Sequence, residues 1–140
     1  MSAYAIFQEA LVAHQKSDFK HAAFLYESLF DNDNALLNQL HQKNKEASIL
    51  NYSSLLRKVD SPQKAIELLN RSLDWSLSYS LTFKSGAYNN LGNAYYDIDQ
   101  FHSACTAYRK SISFSPNSVD SRLSLSKVLF KLKSPNLAYK

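Results

Sequence analysis

The stretch from Ser85 to Asn117, SGAYNNLGNAYYDIDQFHSACTAYRKSISFSPN, predicts two short amphipathic helices in succession. In its first half, apolar residues and a glycine recur every three or four positions, as on one face of an α-helix: Tyr88, Leu91, Gly92 and Tyr95. After the polar residues 97–100, a second stripe follows: Phe101, Ala104, Cys105, Tyr108 and Ile112. Pro116 cannot continue the second helix and is expected to end it.

Gly92 and Ala104 are the smallest residues on the two stripes. Two short helices joined by a few residues bury their stripes by packing antiparallel. A glycine inside a helix costs about 1 kcal/mol relative to alanine, so its presence needs a reason. We predict that Gly92 and Ala104 lie where the two helices approach closely, with tyrosines on either side.

This pattern resembles the tetratricopeptide repeat (TPR), a helix–turn–helix unit of about 34 residues. The resemblance rests on residues at the family's spacing: Tyr88, Leu91, Gly92, Tyr95, Phe101, Ala104, Tyr108 and Pro116. It implies an all-α fold, an α-solenoid of antiparallel helical hairpins in which each repeat covers the apolar side of its neighbour. It also implies a protein-binding scaffold, with a concave groove for an extended peptide or a partner protein.

Further repeats are expected around this one, within a single domain over residues 1–140. We place them near residues 3–36, 46–84, 85–118 and 119–140, the last of them incomplete. Their second helices share a small residue at one position: Ala22, Ala65, Ala104 and Ala138. The wider spacing of the first two repeats predicts lengthened helices, one after the turn "DNDN" at 31–34 and one through "DWSLSYSLTF" at 74–83.

The last repeat breaks off within its second helix at Lys140. Because isolated helices below about 12 residues are marginal, we expect the chain to be an N-terminal fragment of a longer protein. Apolar residues near the end would then lack a cover, and self-association through them is one alternative: Leu125, Val128, Leu129 and Leu132. Another is that the repeats form the regulatory or substrate-recruiting arm of a larger enzyme, a glycosyltransferase or a methyltransferase.

Composition places the chain among globular proteins, with 45% hydrophobic and 13% aromatic residues. No apolar run approaches the ~18 residues that span a bilayer, and the N-terminus lacks the basic start of a signal peptide. A single cysteine, Cys105, cannot form an internal disulfide. We therefore expect a cytoplasmic protein with no membrane partner. Residues 109–140 are basic but lack an element that reads bases, so we do not expect a nucleic-acid partner.

The residue pattern indicates neither a catalytic site nor a cofactor site. The histidines lack metal-ligand spacing, and the only glycines, Gly86 and Gly92, cannot form a phosphate-binding loop. Cys105 lies on the packing stripe, where a small buried hydrophobic residue is the ordinary interpretation. We expect no enzyme activity in these residues, no metal and no cofactor.

A largely polar row is predicted on the groove side of the first helices. Two of the positions in each repeat that face away from the core stripe hold Gln8, Asn51, Asn90 and Ser124, then Leu11, Ser54, Asn93 and Lys127. Primary amides carry both a donor and an acceptor, so a row of them could hold an extended peptide by its backbone. Asn51 and Asn90 resemble the asparagine ladder in the repeats of O-linked N-acetylglucosamine transferase. The alternative is that these side chains are simply solvated.

Chaperone-binding members of the family clamp a C-terminal carboxylate with lysines, asparagines and an arginine on the first helices of three repeats. Counted from the first repeat, those positions hold Phe7, Leu11, Asn51, Gly86 and Asn90. Counted from the second repeat, they hold Leu50, Ser54, Asn90, Asp120 and Ser124. Each frame keeps one suitable residue and no cation, so we predict that the chain has no carboxylate clamp.

Overall fold

Helices form the regular structure of the residues that the computed structural model describes, 1–59, 61–74 and 78–133. These ranges contain eight helices: α1 Ala3–Gln15, α2 Phe19–Leu29, α3 Asp31–Asn34, α4 Gln42–Lys58, α5 Pro62–Asp74, α6 Leu81–Asp97, α7 Phe101–Phe114 and α8 Val119–Lys133. The predicted all-α class, with helices packed in antiparallel pairs, is confirmed. Within the same ranges, no helix combines the length and the apolar character needed to cross a membrane.

Side-chain caps mark where three of these helices begin. Ser2, Asp18 and Ser80 each accept a hydrogen bond from a backbone N–H of the first turn, at 3.1, 3.3 and 3.1 Å, in α1, α2 and α6 respectively. Each bond satisfies one of the N–H groups that a helix start leaves unpaired. Pro62 stands at the first position of α5, where its missing N–H costs nothing.

The first compact unit, residues 1–61, contains α1 to α4. Helices α1 and α2 form a hairpin, and α4 packs on α2. Ala22, Leu29 and Ile49 are fully buried in its core. In α3, residues 32–34 have φ values of 51°, 55° and 64°, a left-handed conformation that asparagine and aspartate adopt more readily than most residues. The predicted turn at "DNDN" is therefore present.

The second compact unit begins at Pro62 and contains α5 to α8. Helix α5 packs on α6, α6 on α7, and α7 on α8, while α8 also contacts α6. Leu69, Phe83, Ala94 and Val128 are buried in this unit, each with no more than 1% of its surface exposed. Because α6 contacts all three of the other helices, it is the centre of the unit.

The helix boundaries overturn two predictions about lengthened helices. The second helix of the second repeat does not run through residue 83, because Leu81 begins α6 and Ser80 is its N-cap; residues 75–77 lie outside the described ranges. After the turn at 31–34, a short 3-10 helix at Leu37–Gln39 precedes α4, which begins only at Gln42. The extra residues lengthen first helices instead, since α4 and α6 begin before the predicted repeat starts at 46 and 85.

The incomplete fourth repeat is represented by its first helix, α8. Its predicted second helix, which would include Ala138, falls on residues 134–140. These residues lie outside the described ranges.

Candidate peptide-binding surface

Within the predicted repeat, Gly92 of α6 packs closely against Tyr108 of α7. A β-carbon added at Gly92 would lie 2.6, 2.7 and 2.9 Å from three ring carbons of Tyr108. The Tyr108 side chain is only 2% exposed, and Ala104, one turn earlier on α7, is fully buried. The space beside Gly92 is thus filled by the Tyr108 ring.

The other residues predicted to pack the repeats lie in or beside the cores of the two units. Ala22, Ala65 and Leu91 are buried, while Tyr88 and Tyr95 are half-buried. Pro116 is exposed and follows the end of α7 at Phe114.

The Tyr108 hydroxyl bonds to one of the predicted groove residues. It donates a hydrogen bond of 2.6 Å to Oδ1 of Asn93. In the first unit, Tyr26 occupies the same place in its repeat, and its hydroxyl accepts a 3.1 Å bond from Nδ2 of Asn51. Both rings are buried, and a buried phenol needs a hydrogen-bond partner. Asn51 and Asn93 therefore have a structural role that our sequence reasoning missed, although the repeated tyrosine was visible.

In the second unit, four predicted groove residues lie on two helices that contact each other, α6 and α8. Asn90 and Asn93 of α6 and Ser124 of α8 are half-buried, and Lys127 of α8 is exposed. The Lys127 ammonium lies 5.6 Å from the centre of the Tyr96 ring, within cation–π range. Together these side chains supply amide, hydroxyl and ammonium groups that can bond to the backbone of a peptide. We call these four residues the polar face of α6 and α8.

The remaining polar groove residues lie in the first unit. Asn51 and Ser54 are half-buried on α4, and Gln8 is exposed on α1. The Gln8 Nε2 donates a 3.0 Å hydrogen bond to the Tyr4 hydroxyl of the same helix. Gln8 is thus bonded locally and surrounded by solvent.

A chain of buried serines, which the sequence analysis did not predict, crosses α6, α7 and α8. The Ser85 hydroxyl donates to the Ser111 carbonyl at 3.0 Å, and the Ser111 hydroxyl donates to the Ser85 carbonyl at 2.7 Å. The Ser111 and Ser121 hydroxyls are 2.7 Å apart, and Ser121 donates to Oδ1 of Asn89 at 3.1 Å. The three serines are at most 6% exposed. The sequence feature that could have predicted the burial of Ser111 is its position three residues after Tyr108, on the packing stripe of α7.

The second unit also holds a cleft of about 380 Å³ between α5 and α7, over α6. Its walls carry both signs of charge, from Asp74 and Lys110, and the Lys110 ammonium lies 5.4 Å from the Tyr88 ring centre. The polar face of α6 and α8 contributes no residue to this cleft, so the two surfaces are distinct. The lining consists of Asn70, Leu73, Asp74, Tyr88, Leu91, Tyr95, Ser103, Thr106, Ala107 and Lys110.

Burial shifts the titration of two tyrosines in the first unit. It raises the pKa of Tyr52 to about 12, with smaller contributions from the carboxylates of Glu27 and Asp31. It also raises the pKa of Tyr26, while the hydrogen bond from Asn51 acts in the opposite direction. In the part of the chain that the structure describes, no three His, Cys, Asp or Glu side chains gather into a group that could hold a metal ion.

Comparison with known proteins identifies the predicted repeat. Residues 85–118 match the family model described as tetratricopeptide repeat. The sequence matches no curated protein. The resemblance of this stretch to the TPR is therefore confirmed.

Several solved TPR domains are similar to this chain. The first TPR of Spaghetti (RPAP3) bound to HSP90 peptide SRMEEVD superposes with a TM-score of 0.77 and 17% identity, covering 95% of this chain and 94% of that one. The first TPR domain of human RPAP3 gives 0.76 and 18%, over 98% and 97%. The Sgt2 TPR domain from Aspergillus fumigatus gives 0.76 and 20%, over 96% and 81%. At these identities the likeness establishes that the fold is TPR-like.

Proposed function

We propose that this chain is a protein-interaction module that binds an extended segment of a partner protein along α6 and α8, the first helices of its third and fourth repeats. The observation that carries the proposal is the polar face of α6 and α8, which places two amides, a hydroxyl and an ammonium group on contacting helices of a TPR-like fold. The resemblance to the asparagine ladder of O-linked N-acetylglucosamine transferase stays a prediction.

The polar face suits backbone recognition because its groups are partly desolvated and at least one is held in place. Hydrogen bonds gain strength where water is partly excluded, and Asn90, Asn93 and Ser124 are half-buried. The 2.6 Å bond from Tyr108 holds Oδ1 of Asn93 and thereby orients the amide plane. A pre-oriented amide loses less entropy when a peptide binds to it.

The peptide that we propose differs from a chaperone C-terminus. One similar structure holds the HSP90 peptide SRMEEVD, but the positions that would clamp its terminal carboxylate in this chain carry no cation. We therefore expect the chain to bind internal, extended segments of a partner. The peptide SRMEEVD should show no saturable binding below about 100 μM, because without a carboxylate clamp its remaining contacts give only weak affinity. Fluorescence anisotropy with the labelled peptide measures this. Tight binding that is lost on amidation of the peptide's C-terminus would show that a clamp exists.

A displayed library of random, unstructured peptides tests the polar face itself. Peptides selected on the wild-type chain are re-tested on the triple variant Asn90→Ala, Ser124→Ala, Lys127→Ala. We expect a loss of affinity of at least tenfold, since each replaced group is worth about 1 kcal/mol and the three act on one ligand. Asn51 and Asn93 are left intact because they satisfy buried tyrosines.

The matched control changes polar side chains on another helix of the same unit. Arg109→Ala with Ser113→Ala removes two exposed groups from α7 and should leave peptide affinity unchanged. The proposal is wrong if the selected peptides bind the triple variant as tightly as the wild type, or if the α7 control loses binding to the same extent.

A further inference from the structure

The outer side of α8 carries an exposed apolar ridge. Val119, Leu123 and Phe130 are 66%, 66% and 65% exposed, and their spacing of four and seven residues puts them on one helix face. We call these three residues the α8 ridge.

The α8 ridge is not the apolar set that the sequence led us to expect at this end. Val128 is fully buried, and the three leucines predicted to lie uncovered with it are partly buried against the core around Ala104 and Tyr108. Those leucines are Leu125, Leu129 and Leu132. The exposed apolar surface of α8 is therefore the α8 ridge and not the set of residues that the sequence predicted to be uncovered.

Repeat geometry indicates that the α8 ridge is a place where a helix docks. The residues 34 positions earlier are Ser85, Asn89 and Tyr96 on α6. There, Ser85 donates a hydrogen bond to α7, Asn89 accepts one from α8, and Tyr96 packs edge-on against Phe101 of α7 with ring centres 5.4 Å apart. On α6 these positions are covered by the next helices of the stack, whereas on α8 the same positions hold exposed apolar side chains.

The charges beside the α8 ridge determine what kind of helix fits. Each ridge residue has a basic residue one turn further along the helix, Arg122 after Val119, Lys127 after Leu123 and Lys133 after Phe130. With Lys131 included, α8 carries four basic residues against Asp120 alone, a net charge of +3. The ammonium groups of Lys127 and Lys131 lie over the Tyr96 ring of α6 at 5.6 and 5.1 Å.

We propose that the α8 ridge binds an amphipathic helix of a partner protein whose apolar stripe is flanked by aspartate and glutamate. The apolar stripe covers the ridge, and the acidic flanks meet the basic residues of α8. A second copy of this chain docked ridge to ridge would bring two helices of net charge +3 together, which like-charge repulsion disfavours. Lys127 borders both surfaces, but the three apolar side chains of the α8 ridge are not part of the polar face of α6 and α8, so this inference does not depend on the proposed peptide groove.

Two pools of helix-stabilised peptides of about 18 residues, long enough to cover the ridge, serve as probes. Both pools carry the same leucine stripe, flanked by glutamate in one pool and by lysine in the other. We expect the glutamate pool alone to bind the full chain, and to bind more weakly in about 500 mM than in about 50 mM salt. Leu123→Ser with Phe130→Ser should lower the affinity at least tenfold, because hot spots of an interface are apolar side chains that become buried.

Phe24→Ser in the first unit is the control, because Phe24 is also 66% exposed and its loss should not affect binding. Since all three side chains are largely exposed, circular dichroism should show unchanged folding in both variants. Equal binding of the two pools, or full binding by the Leu123→Ser and Phe130→Ser variant, overturns the proposal.

Three further measurements identify a different occupant, and each would also overturn it. If the wild type forms a dimer in sedimentation velocity and the variant Leu123→Ser with Phe130→Ser (the ridge variant) does not, a second copy of the chain docks here. If the wild type binds phosphatidylserine vesicles but not the peptides, and the ridge variant does not bind the vesicles, the ridge binds a lipid surface. Peptide binding that appears only after deletion of residues 134–140 would mean that the chain's own end covers the ridge.

Discussion

Gly92→Ala should destabilise the second unit, although alanine is the better helix former. The added methyl carbon would lie 2.6 Å from a ring carbon of Tyr108, far inside the optimal separation of about 3.5–4 Å. The ring cannot swing away freely, because it is 2% exposed and its hydroxyl is bonded to Asn93. Overpacking costs about 2 kcal/mol and a weakened hydrogen bond about 1 kcal/mol, while helix propensity returns about 1 kcal/mol. We therefore expect a net loss of about 2 kcal/mol in the free energy of unfolding.

Urea unfolding followed by far-ultraviolet circular dichroism measures this loss. Gly86→Ala is the matched control, since Gly86 is half-buried in the interior of the same helix and should gain up to about 1 kcal/mol from helix propensity. In a Tyr108→Ala background the ring is gone, and Gly92→Ala should become neutral or stabilising. If Gly92→Ala has the same effect in both backgrounds, the close approach of Gly92 and Tyr108 is not the reason for the glycine.

Two other changes test the interiors of the units. Ser111→Ala removes the 2.7 Å bond to the Ser85 carbonyl and should cost about 1–2 kcal/mol in urea unfolding, whereas Ser113→Ala, at an exposed site on the same helix, should be neutral. The pKa of Tyr52 is raised from 10.0 to about 12, so the folded chain keeps a phenol proton that the unfolded chain loses above pH 10. The contribution of Tyr52 to the free energy of unfolding should thus be fully present below pH 10 and decrease between pH 10 and 12. In the Tyr52→Phe variant, the free energy of unfolding should decrease less over this pH range.

The repeat at 85–118 was predictable because its residues are constrained locally. A glycine between tyrosines at helical spacing, followed by small residues and a terminal proline, leaves few ways to bury both stripes. The structure adds that the neighbour of Gly92 is the Tyr108 ring, because a long side chain reaches across the helix interface where spacing alone identifies only small residues. The all-α class follows from the same constraint.

What could not be predicted depends on long-range contacts or on the backbone. The sequence predicted a turn at 31–34 but not its left-handed backbone. The three positive φ values end the α-helix, so no lengthened helix follows the turn. Asn51 and Asn93 have the spacing of groove residues, yet each bonds a tyrosine of another helix. The buried Ser111 and Ser121 hydroxyls each donate to an acceptor on α6, the Ser85 carbonyl and Oδ1 of Asn89, and hydrophobic periodicity does not show such pairings.

The central claim is that a partner peptide lies on the polar face of α6 and α8. Side-chain amide signals of asparagine, observed by ¹⁵N NMR while a library-selected peptide is added, test it most directly. We expect the Asn90 signals to shift strongly, while those of Asn70, an α5 residue that lines the cleft, stay in place. A shift at Asn70 with none at Asn90 would place the peptide in the cleft and contradict the account.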